Sequence, residues 1–299
     1  MSAKKTINSI FDFFRSCYAQ ASYLMYKIQK NFTIYDSVST IDYIIKNNVS
    51  VSRFGDGEFL IIKGKGMGFQ RANPELACRL IEVLSSTGSC PHHIVCLPYS
   101  YQSLEGLTLK AKKFWLWNIA WNRQFLIHYI PSHRRYFDAS FTRFYLDVED
   151  KKSCPNKISM IKQIWESKDV VIVEGKGTRL GIGNDLLNNA KLIKRILCPS
   201  QNAFSKYDEI RDYIIRNVSR DNLILCALGM TATVLAFDLC KHGYQAIDIG
   251  HIDIEYEWYL KQVTERCPIE GKSVNECGVN NPDDITAIEY QQQIIYKID

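Results

Sequence analysis

Proline and glycine are scarce, at 8 and 16 among 299 residues, which excludes both a fibrous and a disordered chain. A strong charge of either sign is also missing. The 37 basic and 32 acidic residues leave a net charge of +5, too little by itself to argue for nucleic acid. No uninterrupted apolar run is long enough to span a bilayer. The start of the chain does not read as a signal peptide, because Asp12 and Arg15 interrupt its apolar segment. Of the 10 cysteines, none forms a C-x-x-C pair, and no cysteine–histidine set has zinc-finger spacing. Cys96 and Cys226 lie inside apolar runs, where a free thiol behaves as a small hydrophobe. This usage predicts a reducing, cytoplasmic compartment. There is no internal repeat and no low-complexity linker.

What is present is ordinary globular composition, 46% hydrophobic and 23% charged, with length for one large α/β domain or two small ones. The charge is unevenly spread: residues 1–35 carry a net +4 and residues 110–143 a net +6, on a mildly acidic remainder. In the first zone Ile7, Ile10, Phe11, Phe14, Cys17, Ala21, Leu24 and Ile28 recur at helical spacing. Residues 1–38 therefore read as an amphipathic helical extension ahead of one domain over 39–299. The helix either packs on the domain or another subunit, or lies on an anionic membrane surface at the inner face of the cell membrane.

From residue 159 onward the pattern is regular. Helices are expected over 160–167, 184–190, 205–217, 230–241 and 254–262, and strands over 169–173, 193–198, 223–228 and 246–249. Earlier, 49–54 and 93–97 read as strands, 41–46 as a short helix, and 104–145 as helical and aromatic. Strands that are continuous apolar runs, alternating with helices, predict a Rossmann-like, doubly wound, mostly parallel sheet. Such sheets bind ligands at the carboxyl ends of their strands.

Five constellations stand where chemistry would be expected. In Arg53-Phe54-Gly55-Asp56-Gly57-Glu58, two carboxylates two residues apart point the same way if the loop is extended, and such hard oxygen ligands suit Mg²⁺ or Mn²⁺ bridging a diphosphate. Arg53 would hold a phosphate or fix a carboxylate, while a simple Asp-Gly turn is the plainer account. The run from Glu174 to Asp185 holds four glycines between a strand and a helix, so its backbone could approach a phosphate, or it is merely a tight connection. It is neither an in-register dinucleotide fingerprint nor a Walker loop. Glu174 would accept from a ribose hydroxyl. Gly229 to Thr233 leads into a helix and offers an anion site or an N-cap. Asp248 to Trp258 crowds His251 with four carboxylates, which supplies general-base candidates or acids favoured by the helix dipole. The aromatic, basic stretch 110–145 reads as core plus acceptor groove, with single-stranded nucleic acid as the disfavoured alternative.

Together, the runs SVSRFGDGEF (50–59), SFTRFYLDVEDK (140–151), VIVEGKGTRLGIGNDLLNNAKLIKRILCPSQNAFSKYDEI (171–210) and LILCALGMTATVLAFDLCKHGYQAIDIGHIDIEYEW (223–258) resemble the GT-D-type glycosyltransferases, a family once catalogued only as a domain of unknown function. The resemblance covers about residues 40–280. It implies a Rossmann-like fold, a UDP-sugar donor and a D-x-E motif for Mn²⁺ or Mg²⁺, carried here by Asp56 and Glu58. Arg53, Gly55, Glu174, Arg179, Gly181, Gly183, Asn184, Gly229 and Thr231 become the expected nucleotide contacts, and His251, Asp253 and Glu257 the candidates for catalysis. Met230 and Phe144 stand where the family pattern has proline; both change loop rigidity without removing a ligating group. The expectation is a Leloir-type hexosyltransferase acting on a glycan, glycoprotein or lipid-linked acceptor in bacterial surface-polysaccharide or glycoprotein assembly, able to form a homo-oligomer. A non-catalytic nucleotide-binding scaffold in a glycan-assembly complex is the alternative. The missing in-register fingerprint disfavours a dehydrogenase.

Overall fold

The computed structural model describes residues 3–86, 90–278 and 287–299, with side chains from Phe14 onward. The described helices and strands, in chain order, are α1 (Ala3–Gln29), β1 (Phe32–Ile34), α2 (Ser37–Asn47), β2 (Ser50–Arg53), α3 (Asp56–Ile62), α4 (Pro74–Ser85), β3 (His93–Leu97), α5 (Leu109–Tyr129), β4 (Arg134–Asp138), α6 (Cys154–Lys162), β5 (Asp169–Gly175), β6 (Leu192–Cys198), α7 (Tyr207–Asn217), β7 (Leu223–Ala227), α8 (Met230–Lys241), β8 (Gln245–Asp248), α9 (Ile252–Leu260), α10 (Ile288–Gln293) and β9 (Ile294–Lys297). The strands form one nine-stranded sheet of order β1-β4-β3-β2-β8-β7-β5-β6-β9, and every pairing is parallel.

The central strands are apolar because both their faces are covered. Along β5, Val171 and Val173 join one core while Val170 and Ile172 join the other. The first core packs beneath α3, α4, α5, α7 and α8; the second packs beneath α2, α6 and α9. Helices on both faces of a parallel sheet make the doubly wound arrangement that the sequence pattern predicts. Within the stretch read as a helical extension, 1–38, only α1 stands outside the sheet: β1 pairs with β4 as its edge strand and α2 begins at Ser37, so the fold does not divide at residue 38. Helix α1 lies along α5, where Ser22 donates to the Ala120 carbonyl at 3.2 Å and Tyr26 is fully buried. Ile7, Ile10 and Phe11, part of its expected apolar face, lie outside the described side chains.

Several expectations change. The helix read over 160–167 lies earlier, as α6, and residues 163–167 form turns. Residues 104–145 are not helical throughout: α5 ends at Tyr129, and β4 follows with Tyr136 and Asp138 pointing inward at period two. Residues 184–190 form turns, not a helix. There the Asn184 side chain accepts from the Leu186 amide at 3.0 Å, which gives the backbone a local alternative to the helical ladder. The acidic pair Asp56 and Glu58 sits in the first turn of α3, not in an extended loop.

Trp165 shows how the second core is coupled to this turn segment. Its side chain is fully buried, and its indole Nε1 donates to the Leu186 carbonyl at 3.1 Å. Trp165→Ala leaves a large cavity and an orphaned carbonyl, so denaturant unfolding should show a loss of about 3–5 kcal/mol. A loss well below that range would mean that the segment from 184 to 190 is held without the tryptophan.

Candidate functional site

The sheet has its topological switch where β2 meets β8: strands β1 to β4 lie on one side and β5 to β9 on the other. The two strands that meet there end in Arg53 and Asp248. The Arg53 guanidinium donates from Nη2 to Asp248 Oδ1 at 3.0 Å and from Nε to the Asp248 carbonyl at 2.8 Å. Its Nη1 donates to Thr142 Oγ1 at 2.7 Å and to the Ala139 carbonyl at 3.1 Å. The second Asp248 oxygen accepts from Thr233 Oγ1 at 3.2 Å. Burial raises the Asp248 pKa, and Arg53 opposes that rise. Of the two roles open to Arg53, the geometry supports fixing a carboxylate.

Gly250 makes this lock possible. Its φ is +53°, and a Cβ there would stand 1.8 Å from Arg53 Nη2. Only a residue without a side chain lets the guanidinium lie against that backbone.

Immediately after β2, Gly55 caps α3, and its amide donates to Glu58 Oε2 at 2.6 Å. Two positions apart on a helix do not share a face. The fold-back of Glu58 onto its cap nevertheless returns the carboxylate to the end of the helix where Asp56 stands. The two carboxyls and Asp248 form an acidic group: burial, then the charges of Asp248 and Asp56, push the Glu58 pKa up to about 7. No hydrogen bond or ion pair engages the half-exposed Asp56 carboxylate among the described residues. The first turn of α8 packs against this point, since a Cβ on Gly57 would lie 2.7 Å from Met230 Cε. Gly229 and Thr231 thereby reach the same place. Gly229 has φ +54° beneath the Phe69 ring, and the buried Thr231 Oγ1 has no hydrogen-bond partner.

The donor chemistry fits a divalent cation of the Mg²⁺ or Mn²⁺ kind. Asp56 supplies a free carboxylate and Glu58 one unengaged oxygen, both hard ligands. Among the described residues no group of three or more histidines, cysteines and acids is placed to hold an ion. Two carboxylates completed by substrate phosphates are the usual Mg²⁺ arrangement.

The glycine-rich loop forms a second group, and its charged residues point inward. Glu174 is fully buried, with Oε1 paired to Arg195 Nη1 at 2.6 Å and Oε2 accepting from the Leu180 amide at 2.8 Å. It anchors the loop and has no oxygen left for a ribose. Arg179 is buried too and donates to the Gly271 carbonyl at 2.5 Å. Asp253 Oδ1 accepts from the Gly181 amide at 2.9 Å and from Asn184 Nδ2 at 2.8 Å, while Oδ2 meets Lys272 Nζ at 2.6 Å. Glu257 Oε1 accepts from Asn184 at 2.7 Å and from Lys272 at 3.1 Å. Burial raises the Asp253 pKa against the pull of Lys272. For Glu257 the pull of Asn184 and Lys272 overcomes burial, and its pKa is lowered. These two carboxylates, expected as catalytic candidates, are saturated and act as loop anchors. Gly183, exposed at φ +80°, remains a point where backbone is open to a ligand.

His251 stands apart from those anchors, at the cap of α9 and partly exposed. Its Nδ1 lies 3.7 Å from Glu276 Oε2, and Nε2 lies 3.5 Å from Asn275 Nδ2. Burial lowers the imidazole pKa, with Glu276 opposing. Burial works against ionisation of Glu276, but His251 and Arg143 hold its pKa at about 2, Arg143 through a 2.7 Å ion pair. A neutral imidazole backed by a carboxylate is competent to accept a proton. Sequence reasoning gave no role to Asp248, Arg143, Lys272 or Glu276. Asp248 carried a signal, as an acid ending a buried strand; Lys272 and Glu276 lie in an irregular stretch with no motif.

The sequence profile of the glycosyltransferase GT-D fold matches residues 51–277. A probable glycosyl transferase Gly of Streptococcus gordonii is 37% identical over 259 residues, which are 86% of this chain and 36% of that protein. Glycosyltransferase GlyD of Streptococcus pneumoniae serotype 4 is 37% identical over 268 residues, 87% of this chain and 32% of that protein. The chain thus spans about a third of the length of the curated relatives it matches. A solved structure described as a domain of unknown function 1792 with a distinct glycosyltransferase fold superposes with TM-score 0.88 and 36% identity, covering 94% of this chain and all of that one. A new glycosyltransferase from Streptococcus sanguinis follows with TM-score 0.84, 35% identity and 90% of this chain. With its switch-point lock, its folded-back acidic pair and its inward-anchored glycine loop, this chain belongs to the family of the glycosyltransferase GT-D fold.

Proposed function

We propose that this chain is a metal-dependent, Leloir-type glycosyltransferase. It moves a hexosyl group from a nucleotide-sugar, of the UDP-sugar class, to a glycan, glycoprotein or lipid-linked acceptor of bacterial surface-polysaccharide or glycoprotein assembly. The observation that carries this reading is the unengaged Asp56 carboxylate beside the folded-back Glu58, at the strand-end crevice where the sheet order reverses. Family membership supports the reaction class, and the donor follows from the family resemblance.

Asp56 and Glu58 hold the divalent cation. When bound, the cation neutralises the charge that grows on the departing nucleoside diphosphate. Arg53 and Asp248 fix the end of β2, so the acidic pair starts from a rigid strand terminus. The N-terminal end of α8 at Gly229 turns the positive pole of a helix dipole toward the same cleft and favours an anion there. On an inverting course His251 accepts the proton of the acceptor hydroxyl, and Glu276 stabilises the imidazolium that results. Asp253, Glu257 and Glu174 keep the glycine loop in register and touch no substrate.

Asp56→Ala or Asp56→Asn should lower transfer by at least about 10²-fold and remove the metal dependence of nucleotide binding, with little change in melting temperature. Chelation of the wild type should do the same, reversed by Mn²⁺ or Mg²⁺. Full transfer in chelator would overturn the metal assignment. A thermal-shift panel of UDP-, GDP- and CMP-sugars with and without Mn²⁺ tests the donor class, since the true donor raises the melting temperature most.

His251→Ala should lower kcat by about 10²-fold and leave nucleotide affinity unchanged. The lowered imidazole pKa fixes the sign of the pH effect. A base must be neutral, so the acid limb of kcat in the wild type should lie below the ordinary histidine value of 6.5. Equal turnover by the variant would return His251 to a structural role.

A further inference from the structure

Helices α1 and α5 cover one side of the protein but are themselves uncovered on their outer face. Phe114, Trp117 and Trp121 recur at helical spacing along α5, and Phe14, Tyr18 and Met25 do so along α1. The two rows meet where the Tyr18 ring lies 5.8 Å from that of Trp121, which stacks on Trp117 at 6.0 Å. Large side chains are left to solvent: Trp121 is 67% exposed, Phe14 64% and Tyr18 53%, with Leu24 and Ile28 further out on α1 at 63% and 83%. The aromatic stretch expected as core plus acceptor groove is thus core on one face only.

Charge identifies what covers the other face. The two helices together contain 8 lysines and arginines and a single acid, Asp12. Lys110 and Lys113 fall on the same face as Phe114 and Trp117 by helical spacing. Both stand well into solvent, and the Lys110 contact to Glu265 is 4.0 Å long between two exposed side chains. Lys112, off that row, is paired with Glu149. Two helices side by side present a surface about 20 Å wide. Exposed Trp, Tyr, Phe and aliphatic residues flanked by lysines are the composition of a surface that enters the headgroup layer of an anionic bilayer. No described helix is long and apolar enough to cross a membrane.

We infer that the outer face of α1 and α5 docks the protein on an anionic lipid bilayer, with the aromatic row in the headgroup layer and the lysines on lipid phosphates. Helix α5, which presents this face with α1, also packs, on its inner side, against the helix that carries the acidic pair. Phe59 of α3, the helix that carries Asp56 and Glu58, meets Phe125 of α5 at 5.9 Å, and Lys63 at the end of α3 donates to Asn122. On the reading proposed above, docking would bring the strand-end cleft near a lipid-linked acceptor. Vesicle binding is measured without turnover, so the two proposals stand or fall separately.

The experiment is flotation of the full chain with phosphatidylglycerol-rich vesicles and with pure phosphatidylcholine vesicles, at low and high salt. Binding should favour the anionic vesicles by about tenfold or more and weaken with salt. The pair Tyr18→Glu and Trp121→Glu, and separately Lys110→Glu with Lys113→Glu, should each lose about tenfold in binding. Because all four side chains are exposed, the melting temperature should hold; the lysine pair also serves if the aromatic pair folds poorly. Absence of wild-type flotation at low salt, or unchanged binding by the lysine pair, overturns the inference. A dimer in light scattering that Trp121→Glu dissociates, with no vesicle binding, also overturns it and gives the face to a second copy of the chain.

Discussion

The ion pair between Arg53 and Asp248 is the constraint on which the site depends. It ties the ends of the two strands at which the halves of the sheet meet, and it reaches Thr142 and Ala139 beyond β4 and Thr233 on α8. Chain segments far apart in sequence thus converge on one ion pair, the 139–142 segment on its guanidinium and Thr233 on its carboxylate. A pair this deep is a poor source of stability, since desolvating two charges offsets most of their attraction. Removing one partner is another matter, because it strands a buried charge at about 3–5 kcal/mol. The value of the pair therefore lies in specifying position. It fixes where β2 stops, and hence where Asp56 and Glu58 begin.

The same logic runs through the glycine loop. Residues 175–190 contain almost no regular structure, yet they are pinned by two buried ionic sets, Glu174 with Arg195 and Lys272 with Asp253 and Glu257. Positive φ at Gly181 and Gly183 lets the chain turn where a side chain would collide or strain; at Gly181 a Cβ would meet Leu187 Cδ1 at 2.7 Å. A loop built in this way has its conformation set by the fold itself.

Much of this was legible in the sequence, and the limits have physical causes. Strand β3 and helix α8 fall on the expected residues, and β5 and β7 lie within two residues of expectation, because a strand buried on both faces and a helix behind a Gly-Met-Thr turn leave strong local patterns. Strand β4 was hidden because its alternating Tyr136 and Asp138 follow directly on a 21-residue aromatic helix. Strand β9, four residues at the sheet edge, has a weak pattern and is defined by its pairing with β6. The motif residues were found as residues but not always as roles. Spacing places Asp56, Glu58 and His251 at strand ends, yet only the fold shows that Lys272, remote in sequence, neutralises Asp253 and Glu257.

The stretch from Asp248 to Glu257 carries that point furthest. Four carboxylates occur within ten residues, and helical spacing alone does not sort them. Partners do. Asp248 holds an arginine at the switch point; Asp253 and Glu257 share a lysine and an asparagine beneath the loop. Glu255 turns the other way and accepts the backbone amides of Tyr145 and Leu146 at 2.8 and 2.7 Å, closing the second core over the segment that follows Arg143. Each acid is consumed by structure, and the one titratable group of that stretch left partly open is His251. Its carboxylate partner comes from Glu276, outside the motif. Dense acidity around a histidine thus marks a framework spent on holding the chain, while the histidine takes its carboxylate neighbour from a distant piece of chain.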